Sequence, residues 1–438
     1  YSIPQKYEKE FNVTKDVKEV YKLAFYKVNM PTLKFIEDIE LPAGLLSTAK
    51  IEDLYFSNLS VSLYDLFNGS RELQSVTITN QKDDIPENFA QYFKIDTVTI
   101  NGTAEELGNN AFGLGEFKQI SLPDTLKVIG DNAFNNTKLE SVYLGKALEN
   151  IGYAAFYFCN VPEIELPETV LTIGDSAFFG TKFTEIKLGE KIKTVGEYAF
   201  SGSSLKKAVI NEKIVDMSDM LFQNCKDLEI VVVGSHVTRI GDLAFQNCNA
   251  LNTVVIPDSV TEISEDAFSG ANEDVIIYCN KNSYAQSYAE KYNIKYTTLV
   301  LDSIPNQTYT SKPIEPEVNA KANNKNLTLN KEYTLDFSDN VNVGRAKVVA
   351  KGLGDFRHLA ATAHFEILSK PVSDVVVTSY DIYYHPKGSE PKLSLYIGEN
   401  KLVQGVDYEI LDNGNPIKNV GIYNVTVKGI GNLVGTYN

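Results

Sequence analysis

Eight phenylalanines, Phe112, Phe134, Phe156, Phe178, Phe200, Phe222, Phe245 and Phe268, recur at intervals of 22, 22, 22, 22, 22, 23 and 23 residues. No other feature constrains the fold so tightly, because side chains that return at a fixed spacing return to equivalent environments in a repeated unit. All but Phe222 follow an alanine; Phe222 follows Leu221. Five residues before each stands Leu107, Ile129, Ile151, Ile173, Val195, Met217, Ile240 or Ile263. The next residue is glycine in six units and serine (Ser218, Ser264) in two.

Further apolar columns lie eight residues before the phenylalanine (Leu126 to Val260) and twelve before it (Ile100 to Ile256). Another lies two residues earlier still, as in Ile120, Val142, Ile164 and Ile186. The spacing of two between these last columns is strand periodicity, with alternate side chains facing inward and outward. One 22-residue unit cannot bury so many columns alone. Stacked copies turn each column into a continuous ladder, so the pattern predicts a solenoid whose coils rise about 4.8 Å each. Phe67 and Phe89 hold the period toward the N-terminus, and Phe11, Val13, Val17, Val20 and Phe25 reproduce its offsets. After Phe268 the pattern changes. Tyr284, Tyr288 and Tyr292 mark a short amphipathic helix that closes the open ladder.

The units ISLPDTLKVIGDNAFNN at 120–136, IELPETVLTIGDSAFFG at 164–180 and VVIPDSVTEISEDAFSG at 254–270 carry a resemblance to the BspA-like leucine-rich repeat proteins of bacteria. The resemblance spans residues 1–298, with a cap near 273–298, and is most specific over 95–298. It implies a leucine-rich repeat solenoid of short parallel strands on a bacterial cell-surface or secreted protein. Some members of that family are described as adhesins, and no catalytic residues are implied.

A different duplication follows Tyr296. Tyr309, Pro316 and Tyr333 recur 75 residues later as Tyr384, Pro391 and Tyr408, and Gly344, Gly352 and Gly354 recur 77 later as Gly421, Gly429 and Gly431. Alternating residues between turns, AKVVAKG in one copy and YNVTVKG in the other, read as an all-β module. It resembles the immunoglobulin-like sandwich modules often appended to bacterial surface repeat proteins. The expected organisation is a solenoid over 1–298, a first module over 299–370 and a second, incomplete module over 371–438. Copy two lacks the strand that ends copy one (His364–Ile367), and Tyr1 falls at or inside a coil, so further sequence is expected beyond both ends.

Composition narrows the function. With 57 acidic and 41 basic residues the net charge is −16, and no basic stripe exists to neutralise phosphates. Nucleic acid and anionic membrane surfaces are therefore disfavoured as partners. No apolar run approaches the roughly 18 residues of a spanning helix, so no direct membrane insertion is expected. The four histidines (His236, His358, His364, His385) show no zinc-ligand spacing. Cys159, Cys225 and Cys248 each follow a ladder phenylalanine by three residues and read as small apolar fillers. Cys225 and Cys248, in adjacent coils, could approach disulfide distance, and Cys279 belongs to the cap strand. KGIGNLVG at 428–435 mimics a phosphate-binding loop, but its glycines repeat in KGLGDF at 351–356, which points to a turn. No catalytic, cofactor-binding or metal-ligating residues are expected, and the chain reads as a non-enzyme.

The informative residues are those the ladder leaves outside. Along the strand face run Tyr143, an acidic group of Glu163, Glu165 and Glu185 beside Lys187, and a valine row of Val209, Val232 and Val255. Adjacent outward apolar residues mark a contact surface unless the cap or the first module folds over them. The acidic group is either a solvated face or an attractor for a basic patch or cation. The leading expectation is an extracellular recognition or adhesion protein binding a protein or glycan partner through this face. A structural stalk is the alternative, and a glycan-acting enzyme is a more distant one.

Overall fold

In the computed structural model the described residues are 10–13, 24–379, 393–411, 421 and 423–438. Tyr1, Val17, Val20, Tyr384, His385 and Pro391 lie outside them. The chain divides into two compact units, Tyr1–Thr297 and Thr298–Asn438.

In the first unit, most coils begin with a strand. β1 (Glu10–Val13), β2 (Thr32–Phe35), β3 (Asp53–Phe56), β4 (Glu72–Gln81), β5 (Lys94–Gly102), β6 (Glu116–Ser121) and β7 (Lys138–Tyr143) pair in chain order as one parallel sheet. The register matches like with like: Val98 opposes Ile120, and Ile120 opposes Val142. A second parallel sheet of the same kind comprises β8 (Lys207–Val209), β9 (Ile230–Val232), β10 (Thr253–Val255), β11 (Ile276–Tyr278) and β12 (Lys295–Thr297). Together these sheets form the strand face. Behind them, two-residue strands at the aliphatic column pair from Glu106–Leu107 to Thr194–Val195 and again from Asp216–Met217 to Glu262–Ile263.

The phenylalanine column is the spine. Rings from Phe112 to Phe245 stack at centroid distances of 4.8 to 6.1 Å with interplanar angles of 17° or less, and Phe268 continues the column 4.9 Å beyond. Every ring is buried. Next to this spine the coils touch backbone to backbone. A Cβ on Gly174 would lie 2.7 Å from the carbonyl carbon of Gly152, which explains the glycine column. Where serine replaces glycine at 218, its hydroxyl donates to the Val195 carbonyl.

Polar ladders run alongside. Asn109, Asp131, Asp175 and Asp219 each accept, through Oδ1, a backbone N–H of the following coil at 2.7 to 3.0 Å. The column three residues after the phenylalanine is a donor ladder. Thr137 Oγ1, Cys225 Sγ and Cys248 Sγ donate to the phenylalanine carbonyl one coil earlier at 2.9, 3.0 and 3.1 Å. Reading these cysteines as apolar filler is therefore incomplete, since the thiols are buried but serve as hydrogen-bond donors. Burial pushes the Cys159 thiol up to about 12 and those of Cys225 and Cys279 up to about 11.

Among the described residues, two α-helices interrupt the regularity of the solenoid. α1 (Leu63–Phe67) places Phe67 in the core and is capped by Ser62, whose Oγ accepts from Asp65 N at 2.9 Å. α2 (Tyr284–Lys291) follows Ser283, which accepts from Gln286 N at 3.2 Å. Tyr288 packs on Phe268 with centroids 6.1 Å apart, and its hydroxyl donates to the Ser264 carbonyl at 3.0 Å. Ala285, Tyr288 and Ala289 form the buried stripe, whereas Tyr284 faces solvent, so the helix is rotated from the face expected of it.

The second unit is built mainly of antiparallel strands. The long pair Gly344–Gly352 and Ala360–Leu368 is flanked by Tyr333–Ser338 on one side, and Gln307–Thr308 adds in parallel on the other. One apolar cluster draws on both copies of the duplication, including Phe365, Ile367, Leu395 and Tyr408. Gly354 and Gly431 occupy left-handed backbone at φ +56° and +61° in corresponding turns.

Candidate functional site

The strand face is expected to be a continuous ladder, and it is not. β7 and β8 belong to different sheets, and the two coils between them contribute no strand at residues 160–166 or 182–188. The phenylalanine spine runs through the same coils unbroken, and the back strands pair from Asn150–Ile151 through Thr194–Val195 before a new back sheet starts at Asp216–Met217. The coils are thus closed behind and open in front.

The cause is legible in the chain. Asn160 N donates to the Thr137 carbonyl at 2.9 Å, the first rung of the next ladder. Two residues on, where the next amide belongs, stands Pro162, which has no N–H to give. Residues 163–166 then make no backbone hydrogen bond to either neighbouring coil. Pairing resumes beyond Thr184, whose carbonyl accepts from Lys206 N at 2.9 Å, and Glu185 bridges to Lys207. Asn211, buried at the adjoining turn, donates from Nδ2 to the Gly189 carbonyl at 2.6 Å and accepts Lys213 N at 2.8 Å, which reseals the stack.

The opening exposes core. Val142, Ile164 and Ile186 are half-buried, while Ile120 before them and Ala208 after them in the same column are buried. Val142 and Ile164 line a cavity of about 570 Å³ together with Pro162 and Glu140, Glu163, Glu165 and Glu185. None of these four carboxylates has an ion-pair partner among the described residues. Elsewhere such carboxylates are matched to a lysine one coil away: Lys118 with Asp96 at 2.6 Å, Lys138 with Glu116 at 2.5 Å, Lys127 with Glu105 at 2.8 Å. A neighbouring cavity of about 540 Å³ over Ile95, Phe117 and Leu139 is lined by several of these matched charges.

Of the residues expected on this face, Glu163, Glu165 and Glu185 come together at the opening. Tyr143, at the end of β7, is 44% exposed, and its hydroxyl donates to Asp124, which also pairs with Lys146 at 2.6 Å. Lys187 is tied to Glu168 at 2.8 Å, with Glu165 near enough to act on it electrostatically. Val209 is half-buried. The expected solvent-facing row is not found at Val232 and Val255, which have 0% accessible surface. Strand alternation sets the direction of a side chain, and a side chain with no accessible surface offers a partner nothing. Pro162 and Glu140 were not singled out from the sequence, although a proline inside a strand column was a visible signal.

A family profile described as the BspA type leucine rich repeat region matches in six copies, over residues 6–88, 47–161 and 149–274. Among solved structures, the chain is similar to a leucine rich cell surface protein from Faecalibacterium prausnitzii, at 18% identity over 65% of this chain and 91% of that one, with a TM-score of 0.29. It is also similar to the pneumococcal vaccine antigen PcpA, at 14% identity over 67% and 83% with a TM-score of 0.32. A leucine-rich repeat protein from Bacteroides ovatus matches at 17% identity over 66% and 91% with a TM-score of 0.35. No curated protein matches.

Proposed function

The chain belongs to the BspA-type leucine-rich repeat family, and from that premise we propose that it is a non-enzymatic recognition or adhesion protein of the bacterial cell surface or its surroundings, binding a protein or glycan through the strand face of the solenoid. The observation that carries this reading is the opening between β7 and β8, where half-buried apolar side chains and unpaired carboxylates share one cavity. A rigid repeated scaffold presents such groups without a large ordering cost on binding. Among the described residues no helix is long and apolar enough to cross a membrane.

The test is a binding screen of the immobilised chain against extracellular proteins and glycans, repeated with Tyr143→Ala and Glu165→Lys. At least a tenfold loss of affinity for a retained partner is expected from one or both substitutions. Partners whose affinity is indifferent to every substitution on this face would place recognition elsewhere.

A further inference from the structure

Away from the strand face, we infer that one rim of the solenoid carries a second binding surface, a ridge for a neutral, linear glycan of β-linked equatorial sugars, formed by Tyr64, Tyr92, Leu114 and Phe158 with Tyr157 and Phe179 beside them. Each coil contributes one residue to this rim, and backbone hydrogen bonds fix the alignment. The amides of Tyr92, Leu114, Asn136, Phe158 and Gly180 donate to the carbonyls of Gly113, Asn135, Tyr157, Phe179 and Ser201 at 2.7 to 3.0 Å. All five donors have left-handed backbone, as do Gly202, Asn224, Asn247 and Gly270 in the coils that follow. Glycine and asparagine suit that conformation, and from Gly180 onward the rim uses only these. Tyr92, Leu114 and Phe158 instead hold bulky side chains at φ +65°, +58° and +49°, each about half exposed, so burial does little to offset the strain. Strained residues kept at the surface mark a function rather than a core. Tyr64 in α1 extends the row, its ring 6.3 Å from that of Tyr92.

The chemistry of the ridge selects the occupant. The Phe158 ring lies over Gly180, where a Cβ would come within 2.5 Å of it, and it meets Tyr157 and Phe179 edge-on at 4.8 and 5.4 Å. Those two rings stack on each other at 4.9 Å, so the group is held in place before anything binds. Between Leu114 and Phe158 stands the exposed Asn136, whose Nδ2 donates to Asn135 and whose Oδ1 has no partner among the described residues. The paired rim residues from Gln91–Tyr92 to Phe179–Gly180 include no charge, in a chain with 22% charged residues, so an ionic partner finds nothing there to pair with. Rings interleaved with neutral amides match the two surfaces of a sugar: its C–H face packs on a ring, and its hydroxyls exchange hydrogen bonds with an amide. Equatorial β-linked sugars present C–H faces on both sides, and a linear chain laid along the solenoid meets one rim residue per coil rise of about 4.8 Å. The six side chains offer roughly 400–500 Å² of apolar surface. A standard protein interface needs about 800 Å² a side, so a ridge one residue wide fits a narrow chain better than a protein surface.

The experiment is isothermal titration calorimetry of cellohexaose and chitohexaose into the full chain. Maltohexaose, whose α-linked units coil, and an anionic hexamer of galacturonate serve as comparisons. At least one of the first two is expected to bind at least tenfold tighter than either comparison. The double variant Tyr92→Asn, Phe158→Asn installs the residue that other coils carry at this position, and it is expected to weaken that binding at least tenfold at unchanged circular dichroism. Glu165→Lys on the strand face is expected to leave it unchanged. Failure of both cellohexaose and chitohexaose to bind, equal binding of either comparison, or binding that survives the double substitution would overturn the inference. A screened protein that loses affinity on the double substitution while no hexamer binds would assign the ridge to protein docking and overturn it as well. If the hexamers fail while a screened partner still loses affinity on Tyr143→Ala, the ridge falls and strand-face recognition stands.

Discussion

At the scale of single residues, Phe156 and Phe158 show how position in the coil sets the worth of a ring. Phe156 lies 4.8 Å from Phe134 and 5.3 Å from Phe178, fully buried. Phe156→Ala is expected to cost about 3–5 kcal/mol, read as a lower urea midpoint, because neighbours fixed on both sides cannot collapse into the void. Phe158 is 47% exposed with φ +49°, at a turn position where other coils place Asn136, Asn224 and Asn247 in the same left-handed backbone. Phe158→Asn is expected to change stability by about 0.5 kcal/mol or less. Equal costs for the two substitutions would contradict the assignment of spine and rim. The spine could be read from the sequence because eight equivalent phenylalanines reinforce one another. The donor role of the cysteines could not, since a small apolar filler and a small buried donor leave the same mark on a sequence.

That donor column behaves as an element in its own right. Thr137, Ser203, Cys225 and Cys248 occupy one line through the coils, and Ser203 Oγ lies 3.4 Å from Cys225 Sγ. Cys225→Ser is expected to be tolerated better than Cys225→Val, the reverse of what an apolar site would give, when the two are compared by denaturant midpoint. The buried thiols also add a pH dependence. Desolvation raises the folded thiols of Cys159, Cys225 and Cys279 above their ordinary range, to between about 11 and 12. The stability tied to the protonated thiols is then fully present below pH 9 and is lost as pH rises toward the folded values. Cys225→Ser should flatten part of that fall. Among the strands, period two predicts an outward direction for Val232 and Val255, and both are buried. It carries no information on whether anything lies over them. The seam is the opposite case: Pro162 was written in the strand column, but one residue weighs little against seven units that keep the pattern.

For the whole molecule, the division of labour within a coil matters most. Repeat units contact only their neighbours, so a break in one ladder is tolerated when others hold the same two coils together. Across residues 160–188 the spine, the glycine contacts and the back strands do this. The strand face is thereby free to open without loss of the stack, and an open front over a closed back is what the proposed recognition requires. In the second unit the duplication was legible from its spaced tyrosines and glycines. The pooling of both copies into one apolar cluster was not, because sequence repeats give the pattern of a module and not its neighbours. Amide hydrogen exchange resolved to single residues tests the central claim most directly. Glu163, Ile164, Glu165 and Leu166 should exchange at near-unprotected rates, while Phe156 and Phe178, whose amides donate to the carbonyls of Ala177 and Ala199 at 2.7 and 2.8 Å, stay protected by orders of magnitude. Protection at 163–166 equal to that of the spine, or rapid exchange at both, would contradict it.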